Sequence, residues 1–264
     1  MLKGAVHIHS DYSDGEFTLR QLREIYVASG CVFACITDHA ESFDEPKAEK
    51  YRRECVELSD DQFCFVPGME FECEQRMHIL GFGVTALAGT QDPELVIRHI
   101  DQQGGISVIA HPKDSAFPWI ESFVLLPHGI ETWNSKYDGR YAPRPSTFQL
   151  LNRLQRRNPG LLAFYGQDLH WKRQYRGLLN LVGAENVRPD EILAALSRGD
   201  FTGIKDNHVL PSHGHLNQPL LEEFARVNRA SNRFRKIVTA TKGMIRHLGL
   251  DVPPSVKSKL RRFF

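Results

Sequence analysis

Histidine, aspartate and glutamate recur at the ends of apolar runs in this chain, from His7-Ile8-His9 near the start to Asp168-Leu169-His170. Imidazole nitrogens and carboxylate oxygens are the donors that a cluster of divalent cations takes, and no single strand or helix could supply so many of them. The pattern points to a multinuclear metal site assembled from distant segments.

The motifs differ in how they would present their donors. Alternate residues of a strand face one side, so His7 and His9 point the same way while Ile8 packs on the other, and the turn that follows can fold Asp14 back towards them. In Thr37-Asp38-His39-Ala40 the neighbours point to opposite faces, so one of the pair is a ligand and the other orients it; His39 is the expected ligand. Gly68-Met69-Glu70-Phe71-Glu72 sets two acids on one face of an apolar run, and a buried carboxylate needs a cation or a basic partner. His78 opens the next run, His111 closes another just before Pro112, and Asp168 and His170 repeat the alternate-residue geometry of the first motif. Taken singly, each is more often a packed histidine, a helix cap or a solvated loop residue. Their recurrence at successive strand ends is what points to metal.

Such donors need a scaffold that brings strand ends together. Apolar runs at residues 4–9, 33–37, 63–71, 78–84, 106–110, 129–133 and 161–165 alternate with segments of helical spacing at 18–29, 46–58, 92–103, 146–157 and 189–197. Thr18 is the expected N-cap of the first helix and Gly30 its stop. Alternation of this kind argues for parallel pairing, and barrels of the β/α type gather their chemistry at the carboxyl ends of their strands. An open doubly wound sheet would also bind ligands there. Beyond about Asn207 the pattern gives way to one long amphipathic segment, 219–248, with Leu220, Phe224, Val227, Phe234, Ile237, Val238 and Ile245 on its apolar face and Pro253-Pro254 as its break.

Composition fits this reading. The 264 residues are 41% hydrophobic and 25% charged, the mixture of a globular chain able to bury a large core rather than of a disordered one. No apolar leader and no run near about 18 apolar residues is present, which predicts a cytoplasmic protein without a membrane span. The five cysteines are odd in number, form no C-x-x-C pair and are expected to be reduced and structural. The net charge is +1, but of 33 basic and 32 acidic residues, 11 basic and 3 acidic ones fall in 218–264, leaving 22 and 29 elsewhere. An acidic body suits cation binding; the basic tail suits an anionic partner, nucleic acid among them, or the body itself.

The ordered motifs His7-Ile8-His9-Ser10 through Ser13-Asp14-Gly15, Thr37-Asp38-His39, Gly68-Met69-Glu70, Ala110-His111-Pro112 and Gly166-Gln167-Asp168-Leu169-His170 resemble those of the polymerase and histidinol phosphatase (PHP) family of metal-dependent phosphoesterases, over roughly residues 4–205. The resemblance implies an α/β fold, a distorted (β/α)7 barrel of PHP type, with a helical, basic C-terminal extension; the division falls at 1–206 and 207–264. It also implies two or three divalent metal ions, manganese, zinc or iron. The family's nine ligand positions fall on His7, His9, Asp14, His39, Glu70, His78, His111, Asp168 and His170, all but His78 also carrying catalysis, with Glu72 on the same face as Glu70. Gln167 and Leu169 stand where smaller residues are more usual in the family, which bears on substrate shape.

Phosphate esters repel hydroxide, and two cations about 4 Å apart both lower the pKa of a bridging water and neutralise the phosphoryl oxygens. The expected reaction is hydrolysis of a phosphomonoester or phosphodiester, of a small metabolite or nucleotide, by a metal-bridged hydroxide. Arg140 and Arg144, after the strand ending near Trp133, and Lys113 and Lys172, behind two ligand motifs, are the expected phosphate contacts, with Trp171 and Arg176 alongside. His213-Gly214-His215 lies outside the barrel pattern and is assigned to the surface. The alternatives are a nuclease acting on RNA or DNA ends with the tail as electrostatic guide, a metal-stabilised scaffold without catalysis, and a hydrolase of C–N bonds.

Overall fold

The computed structural model describes residues 1–247. Its strands are β1 (Leu2–Ile8), β2 (Phe33–His39), β3 (Cys64–Cys73), β4 (Met77–Phe82), β5 (Ile106–Ala110), β6 (Gly129–Asn134), β7 (Leu162–Gly166), β8 (Leu179–Val182), β9 (Phe201–Lys205) and β10 (His208–Pro211). The α-helices are α1 (Leu19–Ala28), α2 (Glu45–Glu57), α3 (Pro93–Gln102), α4 (Phe117–Ser122), α5 (Pro145–Gln155), α6 (Pro189–Ser197) and α7 (Gln218–His247).

Strands β1 to β7 lie side by side in chain order. The ring closes beyond β1, where Gln167 N–H donates to Val6 O (3.0 Å), Asp168 N–H to His7 O (2.7 Å) and His9 N–H to Leu169 O (2.9 Å). At the other end of β1, Leu2 faces Val182 of the antiparallel β8; β9 and β10 follow, and Ala163 N–H of β7 donates to Ser212 O just after β10. The β8–β10 meander therefore fills the gap between β1 and β7, and the result is a distorted α/β barrel.

The expected parallel pairing holds for β1–β2–β3 and β5–β6–β7. It fails at β4, which runs antiparallel to both β3 and β5. The cause is the connection: Glu74–Arg76 is a three-residue turn with Gln75 and Arg76 in left-handed conformation (φ 55° and 58°), and a parallel partner would need a crossover of a dozen residues or so. Strands β8–β10 and α4 have no counterpart among the sequence-predicted elements; they are four to six residues long and too short to show a period.

Helices α1 to α3 start where side chains replace missing backbone partners. Thr18 and Gln21 form a capping box on α1, which ends before Gly30 at φ 71°, as expected; Asp44 and Asp92 cap α2 and α3, each with a proline in the first turn. Helices α1, α2, α3, α5 and α6 pack on the sheet, α1 through Leu19, Leu22 and Tyr26 and α3 through Val96, Ile97 and Ile100. A fully buried side chain of this kind contributes about 1.5–3 kcal/mol. Helix α7 follows the predicted segment through His247 and is tied down at its start: Phe224 is fully buried, 6.2 Å from the Trp133 ring and 5.1 Å from that of His208, and Asn228 donates to Pro143 O. The expected apolar contacts of Phe234, Ile237, Val238 and Ile245 and the break at Pro253-Pro254 lie outside the described side chains and residues. All five cysteines are buried and unpaired, and burial pushes their thiols up, Cys31 to about 11 and Cys64 and Cys73 to about 12.

Candidate metal centre

Glu70 stands at the middle of the barrel mouth. It enters from β3, almost wholly buried, and five imidazoles surround its two oxygens. His78 Nδ1 and His111 Nε2 lie 2.8 and 3.1 Å from Oε1; His7 Nε2, His9 Nε2 and His39 Nδ1 lie 3.4, 3.1 and 3.5 Å from Oε2. Burial opposes ionisation, but His7, His111 and His78 hold this carboxyl well below its ordinary value. Glu72, two residues on, sits at the rim opposite His78 and joins none of the candidate ligand groups.

The nine sequence-predicted ligands converge in four overlapping groups: His9, Asp14, His39 and His170; His7, His9 and Asp168; His7, Glu70 and His111; and His39, Glu70 and His78. Within each, the donor atoms lie within 4.8 Å of one another. Regular strand alternation is not what aims His7 and His9. His7 is the extra residue of a bulge between Val6 and Ile8, at φ 59°, and His111 (φ 32°) and Asp168 (φ 52°) share the left-handed conformation. Such backbone costs of order 1–3 kcal/mol and persists only where surrounding contacts impose it.

Those contacts come from residues beside the donors. Glu131 on β6 accepts from His7 Nδ1–H (2.7 Å), from the His111 backbone N–H (2.9 Å) and from Asn134 Nδ2 (2.9 Å). Because a carboxylate accepts, His7 carries a proton on Nδ1, and its Nε2 faces Glu70 and, at 3.9 Å, Asp168 Oδ1. Gly166 makes room for this, since a Cβ there would run into the Glu131 carboxylate and the His7 Cβ. Asp38 accepts from Ser10 N–H (2.7 Å), Ser10 Oγ (2.6 Å) and Ser13 Oγ (2.5 Å), pinning the turn that presents Asp14; the expected orienting role is directed at that turn.

The donor set fits divalent cations on a specific observation. His9 is fully buried, and neither of its ring nitrogens has a hydrogen-bond partner. The Glu70 contact at 3.1 Å lacks hydrogen-bond geometry. Buried polar atoms are nearly always paired, and burial lowers the pKa of His9 to about 3, so the ring is neutral and one of its nitrogens can offer a lone pair to a cation at neutral pH. Elsewhere the acids and histidines compensate one another. Burial works against charge on His170, but Asp14 at 3.2 Å and Asp168 raise it to about 9; Asp14 falls to about 2 as His170, His9 and His39 outweigh desolvation.

The predicted phosphate contacts are dispersed. Arg144 is held by Asp138 (2.5 Å), Asp114 (2.7 Å) and Pro112 O (2.8 Å). It lines, with exposed Lys113, a cleft of about 570 Å³ that opens beside His78 and His111 and is walled by Tyr137, Trp119 and Arg76. Arg140 is exposed over the Tyr141 ring, 5.7 Å from its centroid, and Lys172 is exposed with its backbone N–H on Glu16. Neither lines the cleft. Arg176 donates to Ser135 O. The cation nearest the ligands is Lys136, whose Nζ donates to Asp168 Oδ1 at 2.9 Å. His213 and His215 interact with each other and with Gln155, outside all four groups.

Sequence reasoning missed Glu131, Asn134 and Lys136. The signal that singles out Glu70, an acid interrupting an apolar run, is equally present in Gly129-Ile130-Glu131-Thr132-Trp133. Lys136 follows the same strand by two residues and is less conspicuous than the two arginines after it.

No protein-family model matches the sequence, and no curated protein matches it. Solved structures do match. A two-domain protein from Bacteroides vulgatus ATCC 8482 containing a predicted PHP-like metal-dependent phosphoesterase is 19% identical over 85% of this chain and 69% of its own, with a TM-score of 0.58. PsfC from Pseudomonas syringae PB-5123 is 12% identical over 87% of this chain and 98% of its own, with a TM-score of 0.50. The chain has the PHP-like barrel fold.

Proposed function

We propose that this chain is a PHP-family metal-dependent phosphoesterase, with His7, His9, Asp14, His39, Glu70, His78, His111, Asp168 and His170 as ligands to two or three ions of manganese, zinc or iron. The observation that supports it most is the buried imidazole of His9, unpartnered between the carboxylates of Glu70 and Asp168. Bound there, divalent ions supply a nucleophile at neutral pH and positive charge for the phosphoryl oxygens.

The chain's own residues orient and select. Glu131 keeps the proton on His7 Nδ1, Asn134 Nδ2 steadies Asp168 Oδ2 at 3.1 Å, and Asp38 holds the turn carrying Asp14. The cleft beside His78 and His111 takes the esterified group, with Lys113 meeting its charge and Arg144 shaping the wall. Arg140 and Lys172 would meet only a substrate long enough to leave the cleft. Its volume suits a small phosphorylated metabolite or nucleotide, as mono- or diester. Residues 1–206 form the catalytic unit and 207–264 the extension, which β10 joins to the sheet. Five buried, unpaired cysteines support a reducing, cytoplasmic location, and among the described residues no helix is long and apolar enough to cross a membrane.

The test is metal analysis followed by reconstitution of the stripped protein with manganese, zinc or iron and a screen of phosphate esters. Inorganic phosphate from a small monoester is the expected product. The charge of the tail favours one second reading, a nuclease, which would instead release nucleotides from oligonucleotides. A version ending at Arg233, which keeps Phe224 in place, would then lose salt-dependent oligonucleotide binding. Absence of phosphoester hydrolysis with every metal would leave a scaffold role or hydrolysis of C–N bonds.

A further inference from the structure

Asp168 has a resident cation where Glu70 has imidazoles. Lys136 Nζ donates to Asp168 Oδ1 at 2.9 Å and lies 3.3 and 3.4 Å from the two ring nitrogens of His170. The same oxygen lies 3.9 Å from His7 Nε2, 3.8 Å from His9 Nε2 and 3.2 Å from His170 Nδ1. The ammonium is therefore bonded to the atom on which the group His7, His9 and Asp168 converges.

The loop beneath the lysine is held by its own hydrogen bonds, independently of the ammonium. Asn134 Oδ1 accepts from the backbone N–H of Lys136 (3.0 Å) and of Tyr137 (3.1 Å), Asp138 accepts from Asn134 N–H (2.9 Å), and the Trp133 indole donates to Gly139 O (3.0 Å). The Lys136 side chain is 22% exposed and ends in a compact point charge on a flexible four-carbon chain, so it can swing outward without disturbing those bonds.

We propose that Lys136 is an internal competitor for the cation at Asp168. The ammonium already occupies one lone-pair direction of Oδ1 and satisfies part of the carboxylate's charge, and like charges a few ångströms apart in a partly buried site repel strongly. The position served by His7, His9 and Asp168 therefore fills last and most loosely, after those served by Glu70. The number of bound ions follows metal supply instead of being fixed. This inference rests on the metal-binding reading above, and the two can fail separately.

The experiment is a titration of the metal-free protein with Mn²⁺, counting free ion by electron paramagnetic resonance. The wild type should show a tighter and a weaker class of ion. Lys136→Met, neutral and of similar length, should tighten the weaker class by about tenfold or more and leave the tighter class within about twofold. Lys136→Arg should keep the weak class. Superimposable isotherms for the wild type and Lys136→Met overturn the proposal, whereas no Mn²⁺ binding by the wild type overturns the metal reading beneath it. Should Lys136→Met not fold, the wild type alone decides. Reductive methylation of Lys136, read by mass spectrometry against exposed Lys172, should quicken several-fold at saturating Mn²⁺, and an unchanged rate overturns the proposal.

Discussion

Nε2 of His9 lies 3.1 Å from Oε2 of Glu70 without forming a hydrogen bond, and both side chains are buried. An unsatisfied buried polar atom costs about 1–3 kcal/mol, so His9 destabilises the metal-free protein. His9→Leu should therefore melt at or above the wild type in chelator, by about 2–4 °C for each kcal/mol recovered, while losing the rise in melting temperature that Mn²⁺ gives the wild type. A chelated His9→Leu that melts well below the wild type would show that His9 is an ordinary packed residue.

Glu131 touches no candidate ion position, yet it sets the tautomer of His7 and holds the His111 backbone. Glu131→Gln should weaken metal affinity about 10–100-fold with the fold intact by circular dichroism. Calorimetric titration with Mn²⁺ checks this, and wild-type affinity in the variant would remove Glu131 from the site.

Gly166 should tolerate no side chain. The added methyl of Gly166→Ala would meet the Glu131 carboxylate and the His7 Cβ, and overpacking of this kind costs about 1–3 kcal/mol. Chemical denaturation should show that loss, together with weakened metal binding; an alanine variant as stable as the wild type would mean that the β7 end can yield.

The pH dependence should reverse with metal. His170 is raised from 6.5 to about 9 despite burial, through Asp14 and Asp168. A group raised on folding stabilises fully below its unfolded pKa and ceases to do so as pH climbs through the folded one, so the chelated protein should lose melting temperature from pH 6.5 to 9. His9, neutral above about 3 in the folded state, adds nothing over that window. Metal ligation needs deprotonated imidazole, so the gain from Mn²⁺ should grow over the same range. Melting curves at both ends of the window, with chelator and with Mn²⁺, settle it; a chelated protein that gains stability towards pH 9 contradicts the assignment.

The sequence announced the site better than the scaffold. Donors at strand ends are visible because an imidazole or carboxylate inside an apolar run is costly, and all nine expected positions converge. The antiparallel β4 was hidden because strand direction depends on the length of the Glu74–Arg76 turn, not on the composition of β4. Strands β8–β10 take their place from the free edge of β1, a tertiary fact that four-residue runs such as Leu179–Val182 do not encode. The bulge at His7 was equally hidden, since alternation predicts convergence of His7 and His9 whether or not the strand is regular. Lys136 was overlooked because a lysine in a loop has no local signature, and only the fold of β6 onto β7 brings it to Asp168.

The barrel's last joint is made by the donors themselves. His7 O receives the Asp168 amide and His9 gives its own amide to Leu169, so the stitches that shut the ring and the groups offered to the ions alternate along the same few residues. Architecture and chemistry thus share one clasp, and whatever loosens the grip on the ions would also slacken the cylinder, first at the backbone amides of His9, Gln167 and Asp168, where isotope exchange would register it.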